Sequence, residues 1–266
     1  MLSLRKLTAA AALVLALPAA QAHNVWLLPS STVLSKGGWI TVDAAVANDL
    51  FFFNHVPLAL DNLKVTAPGG AALAPANLFR GKLRSVFDLE LKDKGTYRLA
   101  VAGSNLVASY KLNGEAKRWR GSPDAFAKEV PAGAAELKVS ESGNRIETFV
   151  TVGAPTTVAA EGRGLELLPE THPNDLVAGE QARFRLAVDG RPAPGIEVTV
   201  VRGGTRYRNA PGEIKATTDA EGRFAITWPE AGMYWLEAEH KDGKTSLPAA
   251  AERRLVYSAT LEVQPQ

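Results

Sequence analysis

The sequence predicts an all-β protein: two tandem β-sandwich modules, with one short helix in the first, following a cleaved signal peptide. Three observations lead there. Short segments that alternate apolar and polar residues recur along the chain, separated by Gly- and Pro-containing turns, the pattern of half-buried strands. One pattern, Gly-x-Tyr-x-Leu, occurs twice at the start of such a strand, as Gly95-Thr96-Tyr97-Arg98-Leu99 and as Gly232-Met233-Tyr234-Trp235-Leu236. The strand–helix alternation of a parallel α/β sheet is missing. At 266 residues, two domains are the natural division.

Residues 1–22 carry the three parts of a secretory signal. Arg5 and Lys6 supply the positive charge, Leu7 to Leu17 the apolar run, and Ala20-Gln21-Ala22 a small-x-small cleavage site. The run is short for a bilayer, and no later segment approaches the roughly 20 apolar residues of a membrane helix. The mature chain is therefore expected to begin at His23, to be periplasmic and not to insert into the membrane. The net charge of +2 comes from 30 basic against 28 acidic residues, and Arg5 and Lys6 account for the excess. A mature chain near neutrality gives no electrostatic case for nucleic acid. The absence of Cys excludes disulfides, thiolate metal sites and Cys nucleophiles.

The first module is expected over residues 23–153. Trp26 and Leu27 lie in a strand that Pro29-Ser30-Ser31 breaks. Trp39 to Val46 alternates as a strand does. Three consecutive Phe, Phe51 to Phe53, cannot all face one side of a strand, so Asn48 to Pro57 reads as a loop with His55 just beyond its aromatics. Leu63 to Thr66 and Val86 to Leu91 are further strands. The Gly95 strand follows; in Ig-like sandwiches a Tyr at this place bonds back across a corner. Gly103 to Gly133 is expected to be irregular, with Lys117 to Arg120 as a solvated loop anchored by Trp119. Ser122-Pro123-Asp124 opens a short helix: N-cap, Pro at the first helical position, acid in the first turn. Arg145 to Val150 closes the module, and Gly153-Ala154-Pro155 is the linker.

The second module is expected over residues 156–266, opened by Leu165 to Leu168. Thr171-His172-Pro173 is a turn, and Ala182 to Val188 alternates with Phe184, Leu186 and Val188 inward. Asp189-Gly190 is a hairpin signal. Strands follow at Ile196 to Val201, Phe224 to Trp228, the second Gly-x-Tyr segment, and the last stretch through Leu255 and Val256.

Chemistry is concentrated in four histidines, His23, His55, His172 and His240. With no Cys and two Met, a transition-metal site here must use nitrogen and oxygen. After cleavage at Ala22, His23 carries a free α-amine, whose proton a metal displaces readily, and an imidazole; one residue chelates one ion. A second His would complete an N3 site of the histidine-brace kind, which favours Cu(II) or Ni(II). His55 is the first candidate partner and His172 the second, with Asp43 and Asp49 as nearby oxygen donors. No Gly-x-Ser-x-Gly, His-Glu-x-x-His or phosphate loop is present, so no enzyme is expected.

The chain resembles the DUF4198 family of exported bacterial proteins. The resemblance rests on Ala22-His23-x-x-Trp26-Leu27-x-Pro29 and on the Leu165 to Ala238 run, with Asp189-Gly190-Arg191-Pro192, Thr218-Asp219, Gly222-Arg223-Phe224 and Gly232-x-Tyr234-Trp235. The second module is also similar to transthyretin-like sandwiches. The resemblance implies a periplasmic component of nickel or cobalt uptake. The expectation is thus a protein that binds Ni, Co or Cu through His23 and at least one of His55 and His172, and delivers or buffers the ion for a membrane transporter. The competing expectation is a metal-free Ig-like module that binds a protein or glycan at the cell envelope.

Overall fold

Alternation along each strand decides the layers. The computed structural model describes residues 23–266; the expected signal segment and its cut lie outside the described residues. In the N-terminal half, Asn24–Pro29, Gly38–Ala47, Ser85–Leu91 and Ala76–Arg80 lie side by side in that order. Every second residue of the Gly38–Ala47 strand, Ile40, Val42 and Ala44, points into a buried cluster with Leu27, Phe87 and Leu89, as the period of two requires. Tyr97, Leu99, Ile146 and Val150 close that cluster from the facing sheet. The C-terminal half holds its own buried cluster. Leu165–Pro169, Gln181–Val188, Arg191–Pro192 and Arg223–Thr227 form its smaller sheet, and Phe184, Leu186, Ile226 and Trp228 meet Val198, Leu236, Tyr257 and Leu261. The fold is all-β, with one α-helix among the described residues.

The facing sheet belongs to both halves. Its ten strands run Ile214–Thr217, Glu197–Arg202, Gly232–Asp242, Ala250–Val263, Ala135–Val152, Gly95–Leu112, Leu63–Thr66 and Ala72–Leu73, with Glu115–Gly121 beside Gly95–Leu112 and Val33–Leu34 beside Ala135–Val152. The joint is a parallel pairing in which Glu147 lies opposite Ala259. The expected linker at Gly153 to Pro155 falls between the two cores, but the backbone ladder crosses that division. A third buried cluster lies on the other face of the small N-terminal sheet, where Trp26, Ala45, Ala47 and Leu50 pack against Val201 and Trp235. Consecutive Trp26 and Leu27 therefore serve opposite faces of one strand, each fully buried.

Local expectations hold at several points. The Tyr97 hydroxyl accepts from the Asp93 amide at 2.8 Å and donates to the Asp93 carbonyl at 3.1 Å. Tyr234 donates to the Glu230 carbonyl at 2.8 Å, so the repeated pattern makes the same corner twice. The helix spans Pro123–Glu129, and its Ser122 cap accepts from the Ala125 amide. Asp189 and Gly190 turn the hairpin with φ of +50° and +75°, the two positive values a type I′ turn needs.

One expectation fails. Gly103 to Gly133 is not irregular: the Gly95–Leu112 strand runs straight through its first part, and Glu115–Gly121, including the basic Lys117 to Arg120 run, is a strand that folds back on it. The physical reason is pairing. Ala135–Val152 matches Gly95–Leu112 along almost its whole length, so the ladder satisfies the backbone of residues whose own strand preference is weak. Trp119 does anchor the hairpin tip, packing edge-on to Phe126 and donating its indole N–H to Glu129 at 2.7 Å.

Candidate metal centre

The strand Asn24–Pro29 and the short strand Val56–Pro57 flank Gly38–Ala47 on opposite sides and share its end: Asn24 lies opposite Ala47, and Val56 opposite Val46. His23 and His55 are the residues that precede these two strands. The topology therefore delivers both to one end of one sheet. Their rings stack with centroids 3.9 Å apart and planes within 9°, and both residues are exposed.

The loop between them is closed from inside. The Asn54 side chain accepts from the Asn48 amide at 2.9 Å and donates to the Asp49 carboxylate at 2.8 Å. The three Phe divide between two sides of the loop. Phe51 and Phe53 lie on the Trp26 ring, at 5.6 and 5.4 Å, while Phe52 turns away to meet Tyr207 at 5.7 Å. Arg84 covers Phe53 and Arg206 covers Phe52. Phe51 has a φ of +63°, a left-handed backbone that costs a bulky residue about 1–3 kcal/mol and persists only where its surroundings enforce it.

The donor set fits a borderline transition ion. Two nitrogens bound to one metal at about 2 Å each lie at most about 4 Å apart; the centroids of the two rings here stand 3.9 Å apart. Their lone pairs, however, lie in two parallel ring planes, so chelation requires the rings to turn apart. Among the described residues neither ring makes a hydrogen bond, and both residues are exposed. No cluster of three or more His, Asp and Glu side chains suited to a metal occurs among the described residues. A metal held here would need a third donor, and the α-amine that cleavage before His23 would free is the one the sequence offers.

The other candidates lie elsewhere or are engaged. His172 reaches the N-terminal half, but with both ring nitrogens in use. Its Nε2 lies 2.9 Å from the Thr96 hydroxyl and 3.2 Å from the Thr156 carbonyl, and its Nδ1 accepts from the Asn174 amide at 3.1 Å. Burial lowers its pKa from the ordinary 6.5, against smaller opposing effects of the Thr156 carbonyl and Asp175; this matches a neutral ring that must keep Nδ1 as acceptor. Asp43 lies 3.3 Å from Arg84. Asp49 belongs to the His55 loop itself, but its carboxylate accepts from the Asn54 side chain and makes no metal-suited cluster with the two histidines among the described residues. His240 sits 3.5 Å from Asp242 on the Gly232–Asp242 strand.

A cleft of about 400 Å³ opens beside this end of the sheet, between Asn24, Asn48 and Asp49 on one side and Thr199, Trp235 and Glu237 on the other. Sequence reasoning did not find Glu237 there. Desolvation raises its pKa, opposed by Arg254 and assisted by Glu239. The available sign was its place in a strand whose other face is core.

Three solved structures align with the chain at low similarity. The Escherichia coli adhesin FdeC aligns at 14% identity over 92% of this chain and 64% of that chain, with a TM-score of 0.24. The D0-D1 domain of intimin aligns at 13% over 89% and 96%, with a TM-score of 0.22. Escherichia coli alpha-2-macroglobulin activated by porcine elastase aligns at 12% over 91% and 20%, with a TM-score of 0.22. The chain thus spans less than two thirds of the length of the adhesin, and TM-scores of this size assign neither fold nor activity. No curated protein matches the sequence significantly. The family evidence is of another order: residues 20–242 match the model described as "Domain of unknown function (DUF4198)", and the chain belongs to that family.

Proposed function

We propose that the protein binds one divalent transition ion, Cu(II) or Ni(II) before Co(II), through the α-amine and ring of His23 and the ring of His55. In this reading it is exported, is cut before His23, and buffers the ion or passes it to a membrane transporter without catalysing a reaction. The observation that carries the reading is the 3.9 Å approach of the two rings. Two of the four histidines, separated by a 31-residue segment rich in structure, meet at the residue where the sequence pattern puts the cut. Imidazole and amine nitrogens without thiolates suit this group of ions.

The test is calorimetric titration of protein beginning at His23 with Cu(II), Ni(II) and Co(II), beside a form that retains Ala22. Retaining Ala22 turns the His23 amine into an amide and moves the free α-amine one residue away; acetylating that amine removes the ligand altogether. The affinity loss is expected to exceed the roughly 10–100-fold that follows loss of an outer-shell partner alone. His55→Ala should lower affinity and His172→Ala should not. Equal affinity of the two N-terminal forms would overturn the chelate, and no binding by either would overturn the metal reading.

A further inference from the structure

The elements that carry His23 and His55 are both held by residues far along the chain. Two residues after His23, the Val25 carbonyl accepts the indole N–H of Trp235 at 3.0 Å. Four residues before His55, the Phe51 ring lies against Gly203. A Cβ built on Gly203 would stand 2.9 Å from Phe51 Cδ2, 3.2 Å from Cε2 and 3.3 Å from the Met233 carbonyl. The Gly203 amide donates to that same carbonyl at 2.7 Å, so the backbone cannot easily withdraw. Tyr207, just beyond, stacks edge-on to Phe52. The strained φ of Phe51 needs an enforcing contact, and the missing side chain at 203 provides room for it.

We infer that the Gly203–Tyr207 segment is a positioning element for the His pair. Gly203 sets where the Phe51 ring rests, the closed Asn48–Asn54 loop carries that placement to His55, and Trp235 fixes the strand that begins at His23. The C-terminal half thus acts on the site without contributing a ligand to it. This rests on the metal reading above only in what the geometry is for; the placement itself is measurable without metal.

Gly203→Ala, Phe51→Leu, the double variant and Tyr207→Ala should be prepared in protein beginning at His23, with Gly243→Ala as control, since a Cβ there meets open space. Two readouts are needed: the imidazole ring-proton shifts of the apo protein, which report ring stacking, and the Cu(II) affinity with its visible and EPR spectra. Gly203→Ala is expected to move the ring-proton shifts of both histidines, alter the Cu(II) spectrum and weaken binding, with roughly 5–30-fold the ceiling reached when the whole overpacking cost falls on the site. In the double variant, the smaller Leu gives the new methyl room and should restore part of the loss, so the two changes are not additive. Tyr207 is 79% exposed, so Tyr207→Ala leaves the fold intact and should shift the same resonances to a lesser degree. It also decides the matter if Gly203→Ala does not fold. Wild-type resonances and affinity in both Gly203→Ala and Tyr207→Ala overturn the inference. Shifted resonances in a protein whose wild type binds no Cu(II) leave the positioning standing and remove the metal reading alone.

Discussion

Replacing Glu147 with alanine is expected to cost about 3–5 kcal/mol of stability, the range for stripping one partner from a buried ion pair. Glu147 has no exposed side-chain surface, and its partners Arg145 and Arg98 are only 7% and 9% exposed. One carboxylate oxygen accepts from Arg145 at 2.9 Å and lies 3.6 Å from Arg98 Nε; the other accepts from the Tyr257 hydroxyl at 2.9 Å. Arg98 Nε and Nη2 have no hydrogen-bond partner among the described residues, so Glu147 compensates two guanidiniums. Without it they face each other with Glu161 alone, which Arg145 and Lys64 already engage. Stability lies near 5–15 kcal/mol for typical proteins, so the loss is a large part of the total. At roughly 2–4 °C per kcal/mol for this size, the melting temperature should fall by about 6–20 °C. Urea denaturation measures it directly, as a lower midpoint at unchanged slope. A cost under about 1 kcal/mol is what an exposed pair gives, and would refute the claim that this network is desolvated. Because Tyr257 and Arg145 lie on the two strands of the parallel joint, the same variant tests whether the joint depends on the charge cluster.

Two further predictions concern pH. Burial lowers the pKa of His172 below the ordinary 6.5. Its contribution to stability is therefore full above that value and lost as pH falls through the depressed one; a His172→Gln variant should flatten this step in the urea midpoint while leaving Cu(II) affinity unchanged. Glu161 and Asp242 act at lower pH. Burial alone raises the Glu161 pKa, but hydrogen bonds and charge from Arg145 and Lys64 outweigh it and bring it from 4.5 to about 2. The Arg253 hydrogen bond brings Asp242 from 3.8 to about 2. Both contribute stability above their ordinary pKa values that disappears as pH falls toward about 2. A second acid step that survives in His172→Gln is expected, and its absence would show that these ion pairs add nothing to folding.

Much of the fold was legible because it is local. Alternation located the strands, Ser122-Pro123 located the helix start, and Asp189-Gly190 located a turn whose backbone only those residue types adopt cheaply. The two Tyr corners were legible because the bond spans four residues. The long hairpin was not: Gly103-Ser104-Asn105 reads as a break, and only the facing strand shows that it continues. The outer strand still left a trace, since Lys117, Trp119 and Gly121 alternate as the half-buried residues of Glu115–Gly121. The shared sheet had no local sign at all. Thr148 bonds to Thr260, 112 residues away, and no window of sequence contains both.

The candidate site divides along the same line. The chelating half of it is a property of one residue and one peptide bond, and a cleavage pattern suffices to suggest it. The other half depends on which histidine the tertiary structure brings to His23. Three consecutive Phe beside His55 pointed to a loop, but not to what its aromatics pack against. The structure supplies the physical link. Phe51 and Phe53 share Trp26, the residue three places after His23, so the loop and the N-terminal strand are joined through one buried indole. A ring held this way can turn about its own side-chain bonds while its backbone stays fixed. Under the proposed metal binding, that is the motion that would convert a 3.9 Å stack into two in-plane donors. The arrangement therefore combines a fixed spacing with free ring orientation, and a metal that binds it should change the rings' environment far more than the strand positions.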